Sequence, residues 1–128
     1  RISAEPFAAR FHYMGEIRDV DGLMRNVDLL IHPARQEPLG RVLIEAAASG
    51  LPIVATDVGG TREILEDGVS GCLVPANDAA ALAGAIVEMC ANPERRASLG
   101  QAARNRAVER FSIADAARNL EAVWREFL

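Results

Sequence analysis

Residues 37–56 read EPLGRVLIEAAASGLPIVAT, and the order of signals within them selects the fold. Arg41 to Ser49 is an Ala-rich helical stretch, and Gly50 and Pro52 supply the stop chemistry that ends a helix. Ile53 to Thr56 then runs apolar without alternation, which suits a strand covered on both faces, as strands of a parallel sheet are. A helix feeding a doubly covered strand predicts βα units.

The same grammar extends outward. Upstream, Asp28 to His32 reads as a strand stopped by Pro33, and Phe11 to Met14 as a short strand closed by Gly15. Between them Asp19 or Asp21 caps a helix reaching about Asn26. Downstream, Gly59 and Gly60 turn the chain into a short helix from Thr61 to Leu65, and Gly71 to Val74 is a fourth strand. Leu82, Ala85, Ile86 and Met89 recur at helical spacing after an Asn77 or Asp78 cap. Asn92 caps a further helix with Pro93 in its first turn. Ser112 with Asp115 resembles a capping box opening a last helix, whose Leu120, Val123, Trp124 and Phe127 form an apolar stripe read as packing rather than ligand stacking. No internal repeat or low-complexity linker interrupts the pattern. The expectation is one α/β domain over residues 1–128, a Rossmann-like parallel sheet flanked by helices.

Composition narrows the function. The 128 residues carry 14 basic and 18 acidic side chains, a formal net charge of -4, and half of them are hydrophobic. At this length roughly two-thirds of the unfolded surface can be buried, so the core needs no disulfide or metal staple. Nucleic acid is not an expected partner, for want of excess positive charge or an Arg stripe interleaved with aromatics. No window approaches the ~20 apolar residues that span a bilayer, and no charged-then-apolar leader opens the sequence, so no transmembrane segment and a cytoplasmic location are expected. All basic residues are Arg, which excludes Schiff-base chemistry, a Walker P-loop and a lysine general base. Cys72 and Cys90, without a nearby His, read as buried, reduced thiols rather than ligands or nucleophiles.

Glu37 to Ala46 joins the carboxyl end of a strand to a helix N-terminus, the place where open parallel sheets bind ligands. Backbone N–H groups of Leu39, Gly40, Arg41 and Val42, with the helix dipole, suit an anion such as a diphosphate, and Gly40 permits close approach. Glu37 before this cradle and Glu45 one turn beyond it could hold sugar hydroxyls on either side. The same residues also fit a solvated loop glutamate and a helix-surface glutamate paired with Arg41 at i−4.

The run EPLGRVLIEAAASGLPIVATDVGGTREILEDGVSGCLV, with Asp28 to Pro33 before it, resembles the donor-binding region of retaining GT-B glycosyltransferases of family four. The resemblance runs from about Phe11 to Phe127, and its Glu-x7-Glu pair stands at the family's spacing from GLPIVAT and VGGTREI. It implies that Glu37, the chain's catalytic-site residue, contacts hydroxyls of the donor sugar. It implies further that Glu45 holds the nucleotide ribose and that the amides of Leu39, Gly40 and Arg41 meet the distal phosphate. Tyr13, Met14 and Gly15 would lie along the base. The implied reaction moves a sugar from a nucleotide diphosphate to an acceptor hydroxyl with retention, on the leaving-group face and without a metal or other cofactor.

Departures from the family matter too. Its N-terminal domain, with the acceptor site and a catalytic His, and the first two βα units of its donor domain have no counterpart in these residues. An Arg and Lys pair that grips the diphosphate is lost with those units. The expectation is that the chain does not transfer sugar alone. It should present open sheet edges, expose the Trp124 and Phe127 stripe, and self-associate as a homodimer or swapped assembly, or pair with the absent domain. Two rival readings are a stand-alone nucleotide-sugar binding module and a sugar-nucleotide epimerase of the same fold; the Glu37 to Glu45 spacing disfavours the epimerase.

Weaker signals complete the reading. Asp19-Val20-Asp21 spells a metal-binding D-x-D, but its place before a helix favours capping. His32 is expected to be a hydrogen-bonded neighbour of the cleft. Gly59, Gly60 and Thr61 are secondary candidates at a tight turn, and Glu63 is expected to pair with Arg62 or another nearby Arg. Arg95, Arg96, Arg104, Arg106, Arg110 and Arg118 read as solvated helix faces.

Overall fold

A computed structural model describes residues 8–127. Three parallel strands, β1 (Leu30–His32), β2 (Ile53–Thr56) and β3 (Cys72–Val74), form a sheet in the order β1-β2-β3. Leu30 pairs with Ile53 and Val54 with Cys72, so the central strand is bonded along both edges. Six helices accompany the sheet: α1 (Val20–Arg25), α2 (Arg41–Ala48), α3 (Thr61–Ile64), α4 (Ala79–Ala91), α5 (Pro93–Arg110) and α6 (Ile113–Glu126).

Every residue of β2 is buried, as its unbroken apolar run predicts. Alternation then divides the core between the two faces of the sheet. Ile53 and Ala55 join Leu43, Ala46, Ala47, Ile64, Leu65 and Ala103 on the side of α2 and α5. Val54 joins Val74, Ala85, Met89 and Leu99 on the side of α4.

The helix ends follow their local chemistry. Asp19, Asp78, Asn92 and Ser112 cap α1, α4, α5 and α6 by accepting the N–H of Gly22, Ala81, Arg95 and Asp115. The Ser112 hydroxyl also bonds the Asp115 carboxylate and holds its carboxyl below the usual range. At the end of α2, Gly50 has φ +74, its N–H bonds Ala47 O at 2.9 Å, and the Leu51 N–H bonds Ala46 O at 3.0 Å. That paired closure requires a left-handed residue at position 50. A methyl there would meet only ordinary contacts, Arg104 Cδ at 3.8 Å and Gly100 O at 3.9 Å. Gly50→Ala therefore costs about 1 kcal/mol of conformational strain, read as a lowered urea midpoint with an unchanged m-value.

Four expectations are corrected. Phe11 to Met14 is not a strand: a 3-10 turn (Ala8–Arg10) precedes it, and Tyr13 is 99% exposed. A strand needs a neighbour for its ladder, and no strand among the described residues lies beside this segment. Cys90 is exposed and Cys72 only partly covered, because Ala85 and Met89 turn the apolar face of α4 inward and position 90 lies off that face. Burial pushes the Cys72 thiol up, which favours its protonated form. Arg62 pairs with Asp57 rather than Glu63, through Nε at 2.7 Å. Arg96 and Arg106 are not merely solvated. Arg96 donates to Met89 O and Cys90 O, and Arg106 to Ile64 O at 2.9 Å, so each satisfies carbonyls at the end of another helix.

α6 stands apart. None of its residues is buried, and Ile113, Leu120, Val123 and Trp124 are all exposed, as is Phe127 just beyond it. Its stripe is therefore left exposed by the described residues, which agrees with an exposed face and not with packing into the core. No helix of the described residues is long and apolar enough to cross a membrane.

Candidate functional site

β1 delivers the chain to its carboxyl end at His32, and residues 33–40 cross from there to α2. Three attachments hold this crossing. The Thr56 hydroxyl at the end of β2 donates to Ala34 O at 2.5 Å. The Gly60 N–H donates to Glu37 O at 3.0 Å. His32 Nε2 and Glu37 Oε2 stand 3.1 Å apart with both side chains about four-fifths covered.

Gly59 and Gly60 form the seat. A Cβ on Gly59 would overlap the Glu37 carbonyl oxygen and stand 3.0 Å from its carbon, and one on Gly60 would overlap Pro38 O and stand 3.0 Å from Leu39 Cα. The two glycines thus serve close backbone approach between the turn and the crossing loop.

Gly40 is the N-cap of α2 with φ +81, and no side chain caps the helix. Its carbonyl already accepts from Leu43 at 2.9 Å. A helix begun this way presents its first amides to whatever lies beyond, with the positive end of the dipole behind them. Glu45 is half-exposed on the second turn, 3.8 Å from Arg41. An exposed i,i+4 pair contributes only about 0.5 kcal/mol, so a ligand can take Glu45 from Arg41 at little cost.

The two glutamates open into different cavities. Glu45 lines a cleft of about 850 Å3 with Arg18, Asp19, Arg25, Ser49 and Arg104. Glu37 lines a shallower one of about 460 Å3 with Arg35, Gln36, Val58 and Gly59. Tyr13, Met14 and Gly15 line neither; Met14 is exposed and Gly15 has open space around it. Asp19 and Asp21 are spent on the N-cap and on Arg25, and among the described residues no group of three His, Cys, Asp or Glu side chains could hold a metal ion.

The local pattern singles out the segment that carries both glutamates but not Arg18 and Arg104, which line the cleft of Glu45. Arg104 was legible only as one of a run of helix-surface arginines, and nothing in the spacing links it to Arg18. The pattern also leaves the partner of His32 unnamed.

Comparison with known proteins adds a second line of observation. Residues 1–106 match the family described as Glycosyl transferases group 1. The chain is 37% identical over 108 residues to D-inositol 3-phosphate glycosyltransferase of Corynebacterium kroppenstedtii, covering 84% of this chain and 24% of that protein. It is 30% identical over 130 residues to the lipopolysaccharide core biosynthesis mannosyltransferase LpsB of Rhizobium meliloti, covering all of this chain and 37% of that one. Among solved structures, the Anabaena protein HepE in complex with UDP superposes with a TM-score of 0.89 at 29% identity, over 92% of this chain and 33% of HepE. The chain thus spans about a quarter to a third of the length of the proteins it resembles.

Proposed function

The chain belongs to the glycosyl transferases group 1 family and has the GT-B fold of its structural neighbours, and from that premise we propose that it is the donor-binding portion of a glycosyltransferase. Its ligand is a nucleotide-diphosphate sugar. The observation that carries this reading is Gly40, a left-handed N-cap that leaves α2 uncapped at the carboxyl end of β1, with Glu37 held before it and Glu45 standing one turn after it.

Each group then has a task. Glu45 accepts from the ribose hydroxyls, and Glu37 from hydroxyls of the sugar. The amides of Leu39, Gly40 and Arg41 face the distal phosphate. As the bond between the anomeric carbon and the diphosphate oxygen breaks, its electron pair stays on that oxygen, and amides already aimed there stabilise the growing charge without reorganising. The acceptor oxygen bonds the anomeric carbon from the same face, which retains configuration, and its proton leaves with the diphosphate. The nucleobase would run along Met14 and Gly15. No resident metal is part of this reading. The acceptor site, and with it turnover, would come from protein beyond these residues, so the chain binds donor but does not transfer sugar alone.

A calorimetric titration with UDP, GDP and ADP, repeated on Glu45→Ala, tests it. One nucleotide is expected to bind saturably and to weaken about 10- to 100-fold in the variant, the loss of hydrogen bonds to a charged acceptor. Binding that ignores the substitution removes Glu45 from the site, and no binding to any nucleotide overturns the reading.

A further inference from the structure

The Glu37 carboxylate is held from two sides before any ligand arrives. Gly60 fixes its backbone, and His32 meets one oxygen, Oε2, at 3.1 Å. Oε1 has no hydrogen-bond partner among the described residues. A carboxylate offers only acceptors, so the ring tautomer that bonds a Glu37 carboxylate is the one that donates from Nε2. His32 in turn closes β1, where its backbone is in register with Ala55 of the buried central strand, and its carbonyl stands 3.4 Å from the Thr56 hydroxyl. The imidazole thus ties a loop carboxylate to the strand end paired with the buried central strand.

We propose that His32 is a positioning residue for sugar recognition: it locks one oxygen of Glu37 and so leaves the other oriented for a hydroxyl of the donor sugar. This rests on the role given to Glu37 above. Without His32 the carboxylate would sample other rotamers and rehydrate, and each sugar contact would have to overcome that freedom. The nucleotide half of the proposed site, Glu45 and the amides of α2, shares no hydrogen bond or ion pair with His32 among the described residues and is expected to be left intact.

The test is a difference between two ligands measured on this chain. Nucleoside diphosphate and nucleotide-sugar are titrated as pairs, UDP against UDP-glucose, UDP-galactose and UDP-N-acetylglucosamine, GDP against GDP-mannose, and ADP against ADP-glucose. At least one sugar nucleotide is expected to bind roughly tenfold more tightly than its parent, the increment of one charge-assisted hydrogen bond. Glu37→Ala should erase that increment, and His32→Leu should erase it while leaving the parent nucleotide within about twofold. His32→Gln places an amide N–H near the position of Nε2 and should restore most of it, whereas the shorter His32→Asn should not. The pair of amide variants keeps the test valid if His32→Leu fails to fold.

An increment lost in Glu37→Ala but kept in His32→Leu and His32→Asn overturns the role of His32 and spares that of Glu37. An increment that Glu37→Ala does not touch, or none with any sugar, removes Glu37 from sugar recognition, and the proposal falls with it.

Discussion

Gly59→Ala is expected to destabilise the chain by roughly 2–4 kcal/mol and to abolish sugar-dependent binding, whereas Gly68→Ala should cost only about 1 kcal/mol and change no binding. Both glycines are left-handed, at φ +48 and +73, so both substitutions carry the same class of backbone strain. They differ in what the new methyl meets. At Gly68 nothing lies within 4 Å, while at Gly59 the methyl would overlap the carbonyl oxygen of Glu37. That oxygen is backbone and already accepts the Gly60 N–H at 3.0 Å, so it cannot yield without carrying the crossing loop away. A displacement on the order of 1 Å at Glu37, the residue proposed to contact the sugar, is enough to remove most of its contribution. Urea denaturation of the two variants, with paired titrations of nucleotide and nucleotide-sugar, separates strain from collision. Equal losses in the two would mean that the loop has room to give.

The sequence shows why such a site is only half legible. Periodicity marks what repeats, so β2, α4 and the caps at Asn92 and Ser112 can be read directly from local pattern, and the cap of α4 to one of two neighbours, Asn77 or Asp78, of which the structure selects Asp78. Phe11 to Met14 has strand composition too, but a strand is a relation between two segments, and composition does not say whether the second is there. The contacts that hold Glu37 escape for a related reason. His32 and Glu37 are five residues apart across a loop, and Gly60 reaches Glu37 from 23 positions away, so neither contact leaves a spacing that helix or strand geometry would repeat. Arg106 carries the point furthest: its guanidinium closes the end of α3 from 42 residues downstream, while its neighbours in sequence look the same and face water. Short-range chemistry is written in the sequence, and long side chains reaching across the fold are not.

The same distinction governs the second large effect, Leu43→Ala, expected to cost about 2–5 kcal/mol. Leu43 and Trp124 both stand among apolar residues of helices, and side-chain size alone ranks Trp124 as the greater contributor. The structure reverses that order. Leu43 is fully buried on α2, within the cluster that includes Met24, Ala46, Ile53 and Ile64, and its Cδ1 would stand 2.9 Å from a Cβ placed on Gly40. Removing three carbons there leaves a cavity between helix and sheet and withdraws a packing neighbour from the left-handed cap that starts α2. Trp124 is 66% exposed on a helix with no buried residue, so Trp124→Ala should change stability by less than about 0.5 kcal/mol. Against a total of roughly 5–15 kcal/mol for a domain, the first substitution consumes much of the margin and the second almost none. Thermal and urea unfolding of the two variants decide it. A Trp124→Ala loss comparable to that of Leu43→Ala would mean that α6 packs its stripe in solution against a second copy of the chain or against its own core.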